Sequence, residues 1–215
     1  MPRLLCLLCL LAFLLPVPVE AAPLPPDQAA VLRTDFQKHW QQTKLLAVPF
    51  TQTVTIPGLR QPIVSTGTLA YRAPEELRMD FTQPAGEFVL VLGDRLYLQK
   101  SGKRVAVKSL SQDNAGKPFR SLLGLLRGEL TETETQYTAE ISRMDRNFRV
   151  VLTRKPGASG RGPERITNTI EAGNFHVREI LVELPPGGMI HFAFGKPPAK
   201  PTVPDSLFIP PAAGR

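Results

Sequence analysis

The feature that most constrains this chain is a succession of short extended runs over residues 50–97. Phe50-Thr51-Gln52-Thr53, Gly67-Thr68-Leu69-Ala70-Tyr71 and Leu77-Arg78-Met79-Asp80-Phe81 are followed by Phe88-Val89-Leu90-Val91-Leu92 and Arg95-Leu96-Tyr97-Leu98. Each run is rich in β-branched and aromatic residues. Gly, Pro and Asp interrupt them at intervals of about ten residues, the pattern of consecutive antiparallel strands. Leu69 and Tyr71 share a face. Leu77, Met79 and Phe81 face one way and Arg78, Asp80 and Thr82 the other, as a half-buried strand requires. The run 88–92 is apolar on both faces, so both of its sides must be covered.

The second half continues the pattern. Extended runs are expected at 137–144, 147–154, 166–171, 176–184 and 189–194, with turns at Asp145-Arg146-Asn147 and Pro186-Gly187-Gly188. Residues 131–136 form a polar alternating run expected at an exposed edge or loop, and 155–163 a Gly/Pro/Ser-rich loop. Two helices interrupt the strands. Asp27 is an N-cap candidate for a helix to about Leu46 with Ala30, Val31, Phe36, Trp40 and Leu45 on one stripe, and Pro49 bars its continuation. Pro118 opens a second, short helix whose Phe119, Leu122, Leu123 and Leu126 fall at i, i+3, i+4 and i+7. Roughly ten strands with two helices define a mainly β (α+β) fold, since so few helices cannot coat both faces of a parallel sheet. The expectation is one curved antiparallel sheet, an unclosed β-barrel, with the helices plugging its concave side.

Residues 1–21 are set apart. Arg3, the apolar run 4–15 and Val19-Glu20-Ala21 before Ala22 read as a cleaved secretory signal peptide, leaving 22–215 as a single domain. Both cysteines, Cys6 and Cys9, fall inside that leader, so the mature chain carries no disulfide and no lipid-attachment cysteine. Arg3 and Glu20 cancel, and the mature chain keeps the net charge of +7. Its Lys and Arg are scattered, without the clustered run that nucleic-acid binding favours; anionic membranes or acidic partners suit it better.

Catalytic material is sparse. His39, His176 and His191 stand in no metal-ligand spacing, and Glu75-Glu76 reads as a solvated turn. No nucleophile elbow and no phosphate loop occurs, so neither enzyme activity, metal nor cofactor is expected. What remains is apolar strand surface. Phe50, Leu69, Tyr71, Leu77, Met79 and Phe81 are the expected lining of an apolar container, with Phe88, Leu90, Leu92 and Leu96 from the following strands. Phe148, Val150 and Phe192 would come from the second half, and Trp40, Phe119, Leu122, Leu123 and Leu126 would form the lid. Burial in such a lidded cavity stabilises by about 0.8 kcal/mol per methylene, enough to hold acyl chains without specific hydrogen bonds.

Phe50-x-Gln52, Gly67-x-Leu69, Pro74 with Leu77-x-Met79, Thr82-Gln83-Pro84 and Gly93-Asp94-x-Leu96-Tyr97 together resemble the LolA family of periplasmic lipoprotein carriers. The likeness runs from about Asp27 to Pro211 and includes the Pro118-Phe119 helix and the closing Phe208-Ile209-Pro210-Pro211. It implies a monomeric periplasmic carrier that takes lipoprotein acyl chains from an inner-membrane release transporter to an outer-membrane acceptor, without cofactor or covalent chemistry. The related acceptor LolB is lipid-anchored, so a chain without the attachment cysteine fits the soluble carrier. In the family's best-known members an arginine precedes the proline matching Pro74 and latches the lid; here that residue is Ala73, with Arg72 one step earlier and so on the other face of a strand. Either a bulge lets Arg72 serve as the latch or the lid is gated otherwise. The same departure keeps other readings open: a carrier of a glycolipid, aryl polyene or other amphiphile, or a lipid-sensing interaction module.

Overall fold

The computed structural model of the chain describes residues 22–112, 116–126, 136–158 and 162–210. The leader at 1–21 and the acidic positions 131–135 lie outside the described residues. Pro25 and Pro26 set up the first turn of α1 (Pro26–Gln42), with Asp27 inside that turn rather than at the cap. Proline suits this position because its missing N–H has no partner there in any helix. At the other end the Thr43 amide and hydroxyl both donate to the His39 carbonyl. The expected continuation to Leu46 does not occur. Pro49 pushes Val48 toward extended backbone, and Leu45 and Leu46 join strand β1 (Leu45–Thr55).

Pro49 therefore lies within a strand, at a position that tolerates it. The β11 ladder stops at Phe194 opposite Phe50, and the Pro49 carbonyl accepts from the Gly195 amide at 2.8 Å. The missing N–H of Pro49 faces the side where that ladder has ended.

The remaining strands are β2 (Ile63–Arg72), β3 (Glu76–Gln83), β4 (Glu87–Leu92), β5 (Arg95–Gln99), β6 (Ala106–Ser109), β7 (Tyr137–Met144), β8 (Asn147–Arg154), β9 (Arg165–Glu171), β10 (Val177–Leu184) and β11 (Gly188–Phe194). The second helix, α2 (Lys117–Leu126), stands between β6 and β7. All strands pair antiparallel in a single sheet of order β6-β5-β4-β3-β2-β1-β11-β10-β9-β8-β7. Only β1 and β11 join the two halves, at the centre, and β6 and β7 remain as separate edges. The barrel is unclosed, as expected.

Both faces of the first half are covered, by different material. The inner face packs against α1 and α2 in one continuous cluster that includes Phe36, Trp40, Leu69, Leu77, Leu122 and Ile141. On the outer face, Ala70, Leu90 and Tyr97 form a second cluster with Phe208, from the C-terminal 3₁₀ turn Asp205–Phe208. The doubly apolar strand β4 is thus resolved. Its odd residues face the helices and its even residues face the returning C-terminus.

Gly67 is the tightest point of the inner wall. It stands opposite both Phe50 and Phe81, where the β2–β3 register shifts. A side chain there would run into the Asp80 carbonyl and come within 2.9 Å of the Phe50 ring. Only glycine lets the two rings meet across the strand, at 5.4 Å between centroids and nearly perpendicular.

Candidate functional site

The site is the inner face of the sheet together with the two helices laid on it. Register decides which side chains contribute. Leu77 pairs with Val91 and Met79 with Val89, and paired residues share a face. Leu69, Tyr71, Leu77, Met79 and Leu96 are therefore inward and buried with Phe50 and Val150, while Phe81, Phe148 and Phe192 pack partly buried against them. Phe88, Leu90 and Leu92 are not lining residues. They pair with Asp80, Arg78 and Glu76 and belong to the outer cluster. Val89 and Val91 take their place, a choice that alternation could not make in a run of five apolar residues.

The helices supply the opposite wall. Phe36 and Trp40 of α1 are buried, and Leu122, Leu123 and Leu126 of α2 with them; Phe119 packs partly buried against the same cluster. The α1 stripe differs from the expected one. Val31 and Ala30 face solvent, and Ala29, Leu32, Phe36 and Trp40 make the contact. Phe175, in the loop before β10, completes it edge-on to Phe36 at 6.0 Å between centroids. It has no strand pattern around it, which is why sequence reasoning missed it.

The leading segment is tied to the sheet edge, with the Leu24 amide donating to the Ile141 carbonyl at 2.7 Å. The start of α2 is tied as well. Arg120 donates to the Ser111 carbonyl at 2.6 Å, and Asp94 accepts from the Ser111 amide and the Ser109 hydroxyl. Those hydrogen bonds, the Ser111 side first, hold the Asp94 carboxyl below the usual carboxylate range.

Few polar groups enter the interior. His176 is buried, with Nε2 donating to the Gly195 carbonyl at 2.9 Å. Burial, the largest influence, pushes its pKa below the ordinary 6.5, and His39 is lowered by burial as well. The buried Trp40 indole N–H is reached by no protein acceptor among the described residues. Among the described residues no group of three or more His, Cys, Asp or Glu is placed to hold a metal ion.

Two small spaces lie beneath the helices. The space left between Leu32, Phe36, Phe148, Val150 and Ile170 is about 20 Å³, and that beside Trp40, Leu69, Leu122 and His176 about 10 Å³. That is room for about one water molecule, not for an acyl chain. Closure is uneven along the strands. On β2, Tyr71 and Leu69 are 1% exposed, Ser65 is half-buried and Ile63 is 50% exposed. The same gradient runs from Val48 and Phe50 to Val54 on β1, from Leu77 and Met79 to Phe81 on β3, and from Phe194 to Ile190 on β11. All four decline toward the end where β1 turns into β2. There Phe50 touches Phe81 and Phe192, whose ring stacks on Phe194 at 6.1 Å.

Arg72 does not reach the lid. Tyr71 faces inward, so Arg72 faces outward, where it bonds Glu76, donates to Asp205 at 2.6 Å and lies over the Phe208 ring at 4.4 Å. It holds the C-terminal turn. No bulge brings it to the inner face, and Ala73 instead packs against the inner cluster.

A single antiparallel sheet that does not close, with an apolar inner face and a two-helix cover, defines the class of unclosed half-barrels. The family model of the outer membrane lipoprotein carrier protein LolA matches residues 41–210, and the chain belongs to that family. No curated protein matches it. Among solved structures it is similar to a DUF1329 family protein from Desulfovibrio piger, at 10% identity and a TM-score of 0.55, covering 88% of this chain and 99% of that one. It is similar also to an uncharacterized conserved protein from Thermus thermophilus, at 8% identity and a TM-score of 0.52, covering 86% and 95%. A LolA superfamily protein from Nitrosomonas europaea aligns at 12% identity over 85% of this chain and 97% of that one, with a TM-score of 0.44.

Proposed function

We propose that this chain is a periplasmic carrier that takes the acyl chains of a lipoprotein between the sheet and its two helices. It would pass them from an inner-membrane release transporter to an outer-membrane acceptor. One observation carries the reading: an apolar wall runs the length of the inner face, and the helices that cover it leave a cavity of about 20 Å³. Beneath the helices cargo finds room when α1 or α2 lifts, and each acyl chain then replaces helix side chains of like polarity. The exchange costs little apolar surface and gains about 0.8 kcal/mol for each methylene removed from water. An ester or amide carbonyl of the cargo would also satisfy the buried Trp40 indole.

The test is direct. The chain isolated from its own cell envelope is extracted and its lipid identified by mass spectrometry. The same protein is then titrated with a fluorescent fatty acid and challenged with acylated peptide. Bound acylated protein, and displacement by the peptide, is the expected result. Clean extracts together with no probe binding overturn the reading.

A second reading is favoured by Ala73 and the outward Arg72, which take the family's latch away from the lid. On that reading the same interior carries a different amphiphile, and extraction yields a free lipid rather than an acylated protein.

A further inference from the structure

The end of the sheet where the inner face loses its cover carries a second, unexplained feature. The loop between β1 and β2 and its flanks expose Ile56, Leu59, Ile63 and Val64, the last two on opposite faces of β2 and Leu59 and Val64 more than half exposed at 53% and 55%. Met189 joins them, opposite Thr55 on β11. The two turns lie side by side: Pro57 Cγ is 3.8 Å from where a Cβ on Gly187 would stand. Five of the nine exposed large hydrophobics among the described residues thus gather on one prong. Scattered apolar residues need no explanation, but a contiguous exposed patch marks an interaction surface.

Charge says what it meets. No acidic residue occurs between positions 51 and 73, and Arg60 stands at the tip of the prong. The other loops at this end bring Lys100, Lys103, Arg104, Lys155 and Arg165, against Glu87, Glu164 and Glu183 among the described residues. Apolar side chains at a tip ringed by cations fit a surface with an apolar interior beneath anionic headgroups. A folded acidic protein would offer the charge but has no need of so many exposed aliphatic side chains at a hairpin tip.

We propose that the β1–β2 prong, with the β10–β11 turn beside it, docks on an anionic phospholipid bilayer. Ile56, Leu59 and Met189 dip into the headgroup boundary, Arg60 pairs with phosphate, and the half-covered stripe of Val54, Ile190 and Phe192 faces the lipid. The docking goes beyond the carrier reading, since a carrier can receive cargo entirely from a protein.

The experiment is vesicle flotation with the chain from Ala22 onward, which holds every element described. Vesicles are phosphatidylcholine alone or phosphatidylcholine mixed with phosphatidylglycerol. Binding to the anionic vesicles is expected to exceed binding to the neutral ones by about tenfold or more and to weaken with added salt. Ile56→Ser with Leu59→Ser should lower it about tenfold, and Arg60→Gln about fivefold, while Val31→Ser on the outer side of α1 leaves it unchanged. Melting curves establish that the variants fold. Flotation equal on both vesicle types, absent from both, or unaffected by the prong substitutions overturns the proposal. Failure of flotation with retained fatty-acid binding defeats the docking alone; flotation with clean lipid extracts and no fatty-acid binding defeats the carrier reading alone.

Discussion

At the end where β2 runs into β3, Tyr71, Leu69 and Leu77 are sealed beneath α1 and α2. At the other end the same strands present Val54, Ile63 and Phe81 with part of their surface open to water. Composition does not distinguish the ends, since both are aliphatic and aromatic. The difference lies in the cover: α1 begins from the β7 edge and Arg120 ties α2 to the loop after β6. One end is a core in the ordinary sense. The other is wall without a complete core, and that is where a ligand gains most by arriving.

The sharpest way to break this comparison is to truncate one residue at each end. Leu77→Ala, at a site with no exposure, should cost about 2–5 kcal/mol in denaturant unfolding. Ile63→Ala, already half in water, should cost less than about 1 kcal/mol. Equal costs would mean that the open end is packed in solution. Gly67→Ala probes the boundary between them. The added methyl meets the Asp80 carbonyl and the Phe50 ring, so a loss of about 1–3 kcal/mol is expected, with a change in the near-ultraviolet dichroism of the aromatic row. A neutral result would show that β2 and β3 slide freely there.

Much of this was legible beforehand, because turn residues and alternation carry strand information locally. The strands β7 and β8 fall on the expected residues. What failed did so where local pattern has no contrast. The run 88–92 is apolar at every position, and only its pairing with Leu77 and Met79 assigns Val89 and Val91 inward. Leu45 and Leu46 extend the helical stripe equally well as a strand, and Pro49 decides against the helix. The latch is the reverse case. Parity placed Arg72 opposite Tyr71, and parity held; what could not be read was the partner, Asp205, 133 residues away.

The cover itself is tested by Leu122→Asp. A carboxylate on the buried face of α2 should lift the helix from the sheet and weaken fatty-acid binding about tenfold, while far-ultraviolet dichroism keeps the sheet signal. Unchanged binding would make α2 ordinary core, and the two ends would no longer differ in kind. Acid should act more gradually on the same contact. His176 and His39 have folded pKa values below the ordinary 6.5 because burial disfavours their charged forms. The unfolded chain therefore binds more protons in that window, so stability is full above pH 6.5 and falls as the pH drops below it. If melting temperature is flat between neutral and mildly acid pH, the two histidines are not buried in solution as they are here.

The smallest effect concerns the outer face, where Arg72 and Phe208 close the second cluster. Asp205 is nearly all in solvent and ion pairs of this kind contribute little, so Arg72→Ala should leave the melting temperature almost unchanged. Its consequence is local. Without the guanidinium over the ring, Phe208 leaves its place more often, and limited chymotrypsin should cut after it faster than in the parent chain. Fatty-acid binding should be untouched, because the two faces of the sheet share strands but no side chains. A variant that instead traps its ligand would return Arg72 to the gate, and the lidded end would then be controlled from the opposite face.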